Sequence, residues 1–329
     1  MVTRELDGAA RVREASRTEQ TGGMTTTYRP SADDPLLILA MDHRGSFEKM
    51  FTDADSPDDT ALAKMRAAKQ LVYAGLSDAA PKITAGRAGV LVDEQLGADV
   101  LRSARGDADI TVAMPVERSG QQLFSLEYGA DTDAHLAAFD PDYVKVLVRM
   151  NPDDDPANTR EQLDALAALS AALRDQGRQF LYELLVPATD AQSERAGNAL
   201  AYDRDIRPEL VCRVIAANQQ AGVEPTLWKI EGLETAAAAA AVVAAAHADG
   251  RSADCIVLGR DAPKDRLDTW LSVAAGVPGF VGFAIGRSIW EDAVAEHLRS
   301  GDDDQLIATV SANYSHFVNT YLAAGRSRR

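Results

Sequence analysis

Eight short apolar runs alternate with helix-like segments between residues 35 and 300, and this alternation restricts the possible folds more than any other feature of the sequence. The runs are LLILAM (36–41), GVLVD (89–93), ITVAMPV (110–116), YVKVLVR (143–149), FLYELLV (180–186), TLWKIE (226–231), DCIVLG (254–259) and GFVGFAIG (279–286). Most are nearly continuous in apolar residues, which is typical of parallel strands covered on both faces. Helical patterns fill most of the intervals, at 58–76, 158–177, 206–221, 234–249, 264–275 and 288–299.

A strand followed by a helix or loop, repeated eight times, predicts a single (β/α)₈ TIM barrel over residues 35–325. The alternative is an open, doubly wound sheet. Neither GxGxxG after the first run nor GxxxxGK[ST] is found, so nucleotide binding lacks its usual support. Residues 1–34 are polar and without periodicity, which predicts a disordered N-terminal extension. Met1 and Met24 both precede the first run and are both candidate start residues.

Composition excludes several classes of function. Fifty acidic and 34 basic residues give a net charge of −16, which argues against a nucleic-acid-binding surface. A small anionic substrate stays possible because local basic groups outweigh a distant acidic surface. Cys212 and Cys255 lack CxxC spacing and are expected to be reduced core residues. No run is long enough to span a membrane and the N-terminus has no secretory signal, so we expect a cytoplasmic protein without membrane partners.

Polar residues recur where the predicted strands end, which is where TIM barrels carry their active sites. They are Asp42 and Arg44 after the first strand, Asp93 and Glu94 after the second, Glu117 after the third, Arg149 on the fourth, Glu231 on the sixth, Arg260 after the seventh and Arg287 after the eighth.

Lys145, Glu183 and Lys229 lie inside three consecutive predicted strands, where desolvation disfavours an ammonium group. If they face the lumen, neighbouring strands place them within about 10 Å of one another. That arrangement suits Schiff-base chemistry, in which one lysine loses its proton and attacks a ketone while a second ammonium and a carboxylate move protons. The alternative for any single strand lysine is a side chain that extends to water.

The last two strands end alike, in VLGRDAP (257–263) and FAIGRSIW (283–290). Arg260, Gly286, Arg287 and Ser288 combine guanidinium donors, exposed backbone N–H groups and a helix start, which predicts a phosphate site in the seventh and eighth loops. Asp42 is a candidate to align the nucleophile or to take a hydroxyl proton. No cluster of ligands has metal-site spacing, so no metal or cofactor is expected, and NPDDDP (151–156) is interpreted as a loop and helix cap.

These stretches resemble the class I aldolase-like barrel family found fused to the sugar kinase of bacterial inositol catabolism (the 5-dehydro-2-deoxygluconokinase C-terminal domain, DUF2090). They are more distantly similar to tagatose-bisphosphate and sulfofructose-phosphate aldolases. The matching motifs are LAMDHRGSF, VLVDEQLG, YVKVLVRMNPDD, WKIEGLE, VLGRDAP and GFVGFAIGRSIWEDA. The resemblance implies a Schiff-base lysine at Lys229 in a K-x-E strand with Glu231, a second lysine at Lys145, a carboxylate at Glu183, a DxR pair at Asp42 and Arg44, and a phosphate-binding arginine at Arg287.

The resemblance further implies cleavage of 6-phospho-5-dehydro-2-deoxygluconate to dihydroxyacetone phosphate and malonate semialdehyde. Residues 1–34 are too few to supply the kinase half, so kinase activity is not expected and another substrate stays open. We therefore expect a metal-independent class I aldolase that binds a small sugar phosphate and forms a homo-oligomer. The alternatives are another phosphoketose or sulfosugar-phosphate aldolase, or a non-catalytic sugar-phosphate-binding barrel.

Overall fold

The computed structural model describes residues 28–54 and 56–327. Within these ranges, eight parallel strands pair in sequence order and the eighth pairs with the first, which closes a barrel. The closure confirms the predicted single TIM barrel and excludes the open sheet. The strands are β1 (Leu36–Ala40), β2 (Arg87–Leu91), β3 (Ile110–Pro115), β4 (Tyr143–Arg149), β5 (Gln179–Leu185), β6 (Leu227–Glu231), β7 (Asp254–Leu258) and β8 (Phe280–Ile285).

Helices follow the strands, and most of them cover the outside of the barrel, whereas the first, Gly45–Glu48, lies at its mouth. They are α1 (Gly45–Glu48), α2 (Asp59–Ala79), α3 (Glu94–Arg105), α4 (Thr132–Phe139), α5 (Pro156–Asp175), α6 (Asp190–Ala196), α7 (Ala199–Ala201), α8 (Arg207–Gln220), α9 (Ala236–Ala246), α10 (Lys264–Ala275), α11 (Arg287–Ser300) and α12 (Asp303–Arg326). A π-helical turn, Tyr202–Ile206, precedes α8. All six predicted helices are present, with ends within three residues of the predicted ones.

Two long helices, α3 and α12, were not predicted. The first contains Gly97 in a non-helical conformation, which interrupts its pattern. The second follows the eighth repeat, where the barrel pattern requires no further element. It is fixed to the barrel by hydrogen bonds from Tyr314 Oη to the backbone oxygen of Leu37, at 2.7 Å, and from Tyr321 Oη to that of Phe280, at 3.0 Å.

Strand alternation divides the lumen into an apolar lower part and an ionisable upper part. Tyr143, Leu181 and Leu227 belong to the apolar cluster that fills the lumen. Side chains two residues apart on a strand share a face. The lumen-facing positions that follow are therefore Lys145, Glu183 and Lys229, at the C-terminal mouth.

The segment before β1 was predicted as part of a disordered extension over residues 1–34. Residues 1–27, including Met24, lie outside the described residues. Residues 28–34 contact the N-terminal end of the barrel, where the strands begin. The backbone oxygen of Tyr28 accepts a hydrogen bond from Gln179 Nε2, at the start of β5, at 3.3 Å. The guanidinium of Arg87, at the start of β2, lies 4.9 Å from the Tyr28 ring centroid. No helix in the described ranges combines the length and apolarity that crossing a membrane requires.

Gly282 of β8 lies where the backbone of β8 approaches β1 closely and the barrel closes. Its φ is +144°, and a Cβ there would overlap the carbonyl oxygen of Leu36 on β1. We expect Gly282→Ala to lower the free energy of unfolding by roughly 2–6 kcal/mol, the combined cost of backbone strain and overpacking. Gly325→Ala is the control, because nothing lies within 4 Å of the added methyl group. Denaturant unfolding of both variants measures the difference, and equal stabilities would contradict the close β8–β1 contact.

Candidate active site

The centre of the barrel mouth is formed by Lys145 on β4, Glu183 on β5 and Lys229 on β6. Glu183 Oε2 accepts a hydrogen bond from Lys229 Nζ at 2.9 Å and lies 3.0 Å from Lys145 Nζ. Both lysines are buried, with 1% and 2% of their surface exposed. The structure therefore brings together the three side chains that the sequence predicted to act together, with one carboxylate oxygen between two amines.

Lys145 has two further carboxylate partners. Its Nζ donates to Asp42 Oδ2 at 2.7 Å and to Glu117 Oε1 at 2.9 Å. Burial lowers the pKa of Lys145, but the three carboxylates outweigh burial and raise it above its ordinary value. Burial likewise raises the pKa of Asp42 and of Glu183, but Lys145 and Lys229 outweigh it and lower both. Lys145 is therefore an ammonium, and Asp42 and Glu183 are carboxylates, near neutral pH.

Glu117, after β3, is the member of this centre to which the sequence assigned no role. Arg44 Nη2 donates to its backbone oxygen at 3.0 Å and to its Oε1 at 3.3 Å. Burial raises the pKa of Glu117, and the cations of Lys145 and Arg44 offset that only in part. Glu117 is thus the most easily protonated of the three carboxyl groups around Lys145. It lies four residues beyond Ala113, a lumen residue of β3, so strand alternation alone identifies it as lumen-facing.

Asp42 is held in place by a buried lysine on α2 that the sequence interpretation missed. Lys69 Nζ donates to the backbone oxygens of Met41, at 2.6 Å, and His43, at 3.1 Å, which flank Asp42. Its third partner is the carboxylate of Asp93, which also caps the N-terminus of α3. The detectable signal is a lysine on the apolar face of a helix.

The predicted phosphate site lies at the N-terminus of α11, beside this centre. Gly286, Arg287 and Ser288 all line the same cavity, and a helix N-terminus offers free N–H groups and partial positive charge. A Cβ at Gly286 would lie 2.6 Å from the backbone oxygen of Ala40, so only glycine allows this close approach of α11 to β1. Arg287 Nη1 lies 3.1 Å from Asp261 Oδ2.

His43 lies between the lysine centre and the predicted phosphate site. Burial is the main cause that lowers its pKa to about 4, and the cations of Lys229 and Arg287 act in the same direction against Asp42. His43 is therefore neutral near pH 7. Its ring packs edge-on against Trp290, with 5.3 Å between the ring centroids.

Arg260 lines the cavity, but two carboxylates hold its guanidinium. Its Nη1 lies 2.7 Å from Asp203 Oδ1 and its Nε lies 3.0 Å from Glu231 Oε1. Asp203 also pairs with the buried Arg207, at 3.0 Å. Glu231 is 2% exposed, is not part of the cavity wall and accepts a hydrogen bond from the backbone of Val186 at 3.0 Å. Glu231 therefore reaches the cavity only through Arg260.

A cavity of about 490 Å³ at the C-terminal mouth is lined by Asp42, His43, Arg44, Glu117, Lys145, Glu183, Lys229, Arg260 and the start of α11, and this size is typical of small-molecule sites. Residues 117–124 of the β3–β4 loop form much of its remaining wall. Among the described residues, no group of three or more His, Cys, Asp or Glu side chains is placed to hold a metal ion.

In the acidic segment 151–156, Asp155 caps α5 by accepting a hydrogen bond from the backbone of Ala157 at 2.7 Å, as predicted.

Comparisons with known proteins give a family and a shared fold. The sequence pattern of the family described as "Uncharacterized protein conserved in bacteria (DUF2090)" matches residues 10–325. No curated protein matches the chain. A solved protein of Corynebacterium glutamicum is 18% identical, with 87% of this chain and 86% of that one covered and a TM-score of 0.56.

Two solved aldolases share the fold at lower identity. An archaeal fructose-1,6-bisphosphate aldolase, described with its catalytic lysine covalently bound to the carbinolamine intermediate, is 12% identical over 87% of this chain and 94% of that one, with a TM-score of 0.53. The fructose-bisphosphate aldolase of Plasmodium falciparum is 11% identical over 88% and 90%, with a TM-score of 0.60. At these identities the likeness establishes the fold alone.

The pairing of Lys69 with Asp93 generates a stability prediction. We expect Lys69→Met to lower the free energy of unfolding by about 3–5 kcal/mol, because it leaves a buried carboxylate without its cation. Lys69→Met combined with Asp93→Asn should recover part of the loss, since the buried charge is gone and asparagine still caps α3. Denaturant titration measures both variants. A double variant less stable than the single one would contradict this assignment.

Proposed function

The chain belongs to the DUF2090 family, and we propose that it is a class I aldolase that cleaves a phosphorylated keto sugar acid through a Schiff base. The observation that carries the proposal is the placement of one carboxylate oxygen, Glu183 Oε2, within 3.0 Å of two buried lysine amines. The covalent lysine adduct described for the archaeal aldolase of the same fold supports it.

Lys229 is the nucleophile in this proposal. Lys145 has three carboxylate partners, which hold it as an ammonium. Among the described residues, Lys229 has one such partner, Glu183, whose oxygen at 2.9 Å can accept its proton. The freed amine attacks the substrate ketone and forms a carbinolamine. Protonation of the carbinolamine oxygen releases water and leaves an iminium on Lys229.

The remaining steps are proton transfers at the same centre. Asp42 takes the proton of the hydroxyl group β to the iminium carbon, and the C–C bond breaks as the aldehyde forms. The bond's electron pair moves toward the iminium and gives an enamine. Protonation of the enamine carbon regenerates the iminium, and water hydrolyses it to release the ketone product. The Lys145 ammonium donates to the oxygen atoms that gain negative charge in these steps.

Arg287, Gly286 and Ser288 hold the substrate phosphate at the start of α11, with Arg260 on the neighbouring loop. Arg44 orients Glu117, and Glu231 orients Arg260.

The favoured substrate is 6-phospho-5-dehydro-2-deoxygluconate, which would give dihydroxyacetone phosphate and malonate semialdehyde. Its support is the resemblance of the motifs. Another phosphoketose or sulfosugar-phosphate is the alternative substrate, and a non-catalytic binding barrel is the alternative function. A homo-oligomer in the cytoplasm stays a prediction.

Borohydride trapping tests the Schiff base. Incubation with dihydroxyacetone phosphate and borohydride should attach one reduced dihydroxyacetone phosphate group to Lys229, because only an iminium is reduced to a stable amine. Lys229→Met should abolish both the adduct and turnover and keep the fold. Lys64→Met, which removes an exposed lysine of α2, is the matched control. An adduct on Lys145 would reverse the two roles, and active enzyme without any adduct would rule out Schiff-base chemistry.

The phosphate site has its own test. We expect Arg287→Ala to lower kcat/KM for a phosphorylated substrate about 10- to 100-fold, mainly through KM, because a charge-assisted contact worth roughly 1.5–3 kcal/mol is lost. Arg299→Ala, at the other end of α11, removes an exposed arginine paired with Glu296 and should change little. Steady-state kinetics distinguish the two variants. Equal kinetics for both would place the phosphate elsewhere.

A further inference from the structure

The side chains that line the cavity at the barrel mouth carry excess positive charge in a strongly negative protein, although Asp203 and Glu231, behind the wall, offset Arg260. Eight basic residues line it, and four acidic ones, which gives a formal net charge of +4 when both lysines of the centre are counted as ammonium groups. The whole chain carries −16. Such a local reversal of sign indicates a ligand with several negative charges. The basic residues are Arg44, Lys49, Arg118, Lys145, Arg149, Lys229, Arg260 and Arg287, and the acidic ones are Asp42, Glu117, Glu183 and Asp261.

The positive charge is distributed over two walls that differ in their partners. On the β7–β8 wall, Arg260 and Arg287 each have a carboxylate within 3.1 Å. On the β3–β4 wall stand Arg118 and Arg149, and Lys49, which follows α1, lines the same cavity. In the ranges 28–54 and 56–327, no carboxylate lies within 4.0 Å of these three cations. One phosphate on the β7–β8 wall would leave this second wall uncompensated.

Arg149 is the best-placed residue of the second wall. It shares the lumen face of β4 with Lys145 and Leu147, because the three lie two residues apart. Four residues of strand separate it from Lys145, about 13 Å at 3.3 Å per residue. Its long side chain can reach back over part of that distance, so Arg149 is suited to the far end of a short carbon chain held at the lysine centre.

The β3–β4 loop fixes Arg149 in this orientation. Arg149 Nη1 donates to the backbone oxygen of Gln121 at 3.1 Å. The loop is itself anchored by an antiparallel bridge between Glu117 and Leu126 and by a hydrogen bond from the backbone of Phe124 to Gln162 Oε1 at 2.9 Å. One edge of the guanidinium is thus held by protein, and its other N–H groups stay available to a ligand.

We propose that Arg149, assisted by Arg118, binds the carboxylate of the substrate, at the end remote from its phosphate. This inference rests on the proposed function and deepens it, since it names the residues that recognise the acid end of a keto sugar acid. It also distinguishes substrates: a phosphoketose whose far end is an uncharged alcohol leaves the second wall unpaired.

The condensation direction tests this inference, because the acceptor aldehyde supplies the remote end. With dihydroxyacetone phosphate fixed, succinate semialdehyde should react with a kcat/KM at least tenfold higher than butanal, which has the same chain length without the charge. Arg149→Met keeps an unbranched, flexible side chain and removes the charged guanidinium group. It should lower the ratio of the two kcat/KM values about 10- to 100-fold, and Arg149→Lys should restore part of the ratio.

Two outcomes would overturn the inference: no preference for the anionic aldehyde, or an unchanged ratio in Arg149→Met. Arg102→Met, which removes an exposed arginine of α3 paired with Asp99, is the matched control and should leave the ratio as in the parent protein. Glyceraldehyde 3-phosphate serves as a further acceptor. A preference for it over succinate semialdehyde would show that the second anionic group of the substrate is a phosphate and not a carboxylate.

A binding measurement separates this inference from the proposed chemistry. Calorimetry with 5-phosphonopentanoate and with pentylphosphonate requires no turnover. The parent protein should bind the first at least tenfold more tightly, and Arg149→Met should remove the difference. Borohydride could trap no adduct while 5-phosphonopentanoate still binds more tightly than pentylphosphonate. In that case the aldolase proposal fails, and the site for a ligand with an anionic group at each end is supported. Equal affinities of the parent protein for both ligands would overturn the site itself.

Discussion

The ammonium of Lys145 is the charge around which the barrel mouth is arranged. Its partners come from the ends of β1, β3 and β5, so three separate parts of the sequence depend on one buried cation. With Arg44 and Lys229 included, the centre holds three cations and three carboxylates. A buried charge without a partner costs several kcal/mol, so the composition of the centre is restricted to near balance. In the proposed mechanism, an iminium on Lys229 would keep that balance, because it carries one positive charge as an ammonium group does. Transfer of the Lys229 proton to Glu183 would keep it as well, because the resulting amine and carboxylic acid are both neutral.

The second layer around this centre is built from groups that hold backbone. Lys69 binds the two carbonyl groups that flank Asp42, and Trp290 Nε1 donates to the backbone oxygen of Ala40 at 2.9 Å. On the other side, Arg207 binds the backbone oxygen of Gly232 at 2.7 Å, directly after β6. These contacts fix the chain at the C-terminal ends of β1 and β6. The same side chains therefore contribute to stability and to the geometry of the cavity.

The sequence predicted the barrel and the lysine centre because both follow from local patterns. Apolar runs of strand length define the strands, and the two-residue period places Lys145, Glu183 and Lys229 above apolar lumen residues. The same period identifies Glu117, although its ion pair with Lys145 depends on β3 and β4 lying side by side. Lys69 and Asp203 could not be assigned partners in this way. Lys69 contacts a carbonyl 28 residues away and Asp203 contacts an arginine 57 residues away, and only the closed fold determines such pairs. The helix α12 was missed because no repeat requires it.

The two walls of the cavity differ in how much they gain from an anion. Arg260 and Arg287 already have carboxylate partners, so a phosphate at this wall exchanges one anion for another or shares the arginine with it. The net gain there comes mainly from the helix N-terminus and its free N–H groups. Arg149 has a carbonyl oxygen as its protein partner, so an anion beside it adds a charge pair where none existed. Because exposed charges are screened beyond about 8 Å at physiological ionic strength, the acidic outer surface weakens neither contact much. If the proposed sites hold, discrimination between ligands that share a phosphate depends on the β3–β4 wall, while the β7–β8 wall sets their common orientation toward Lys229.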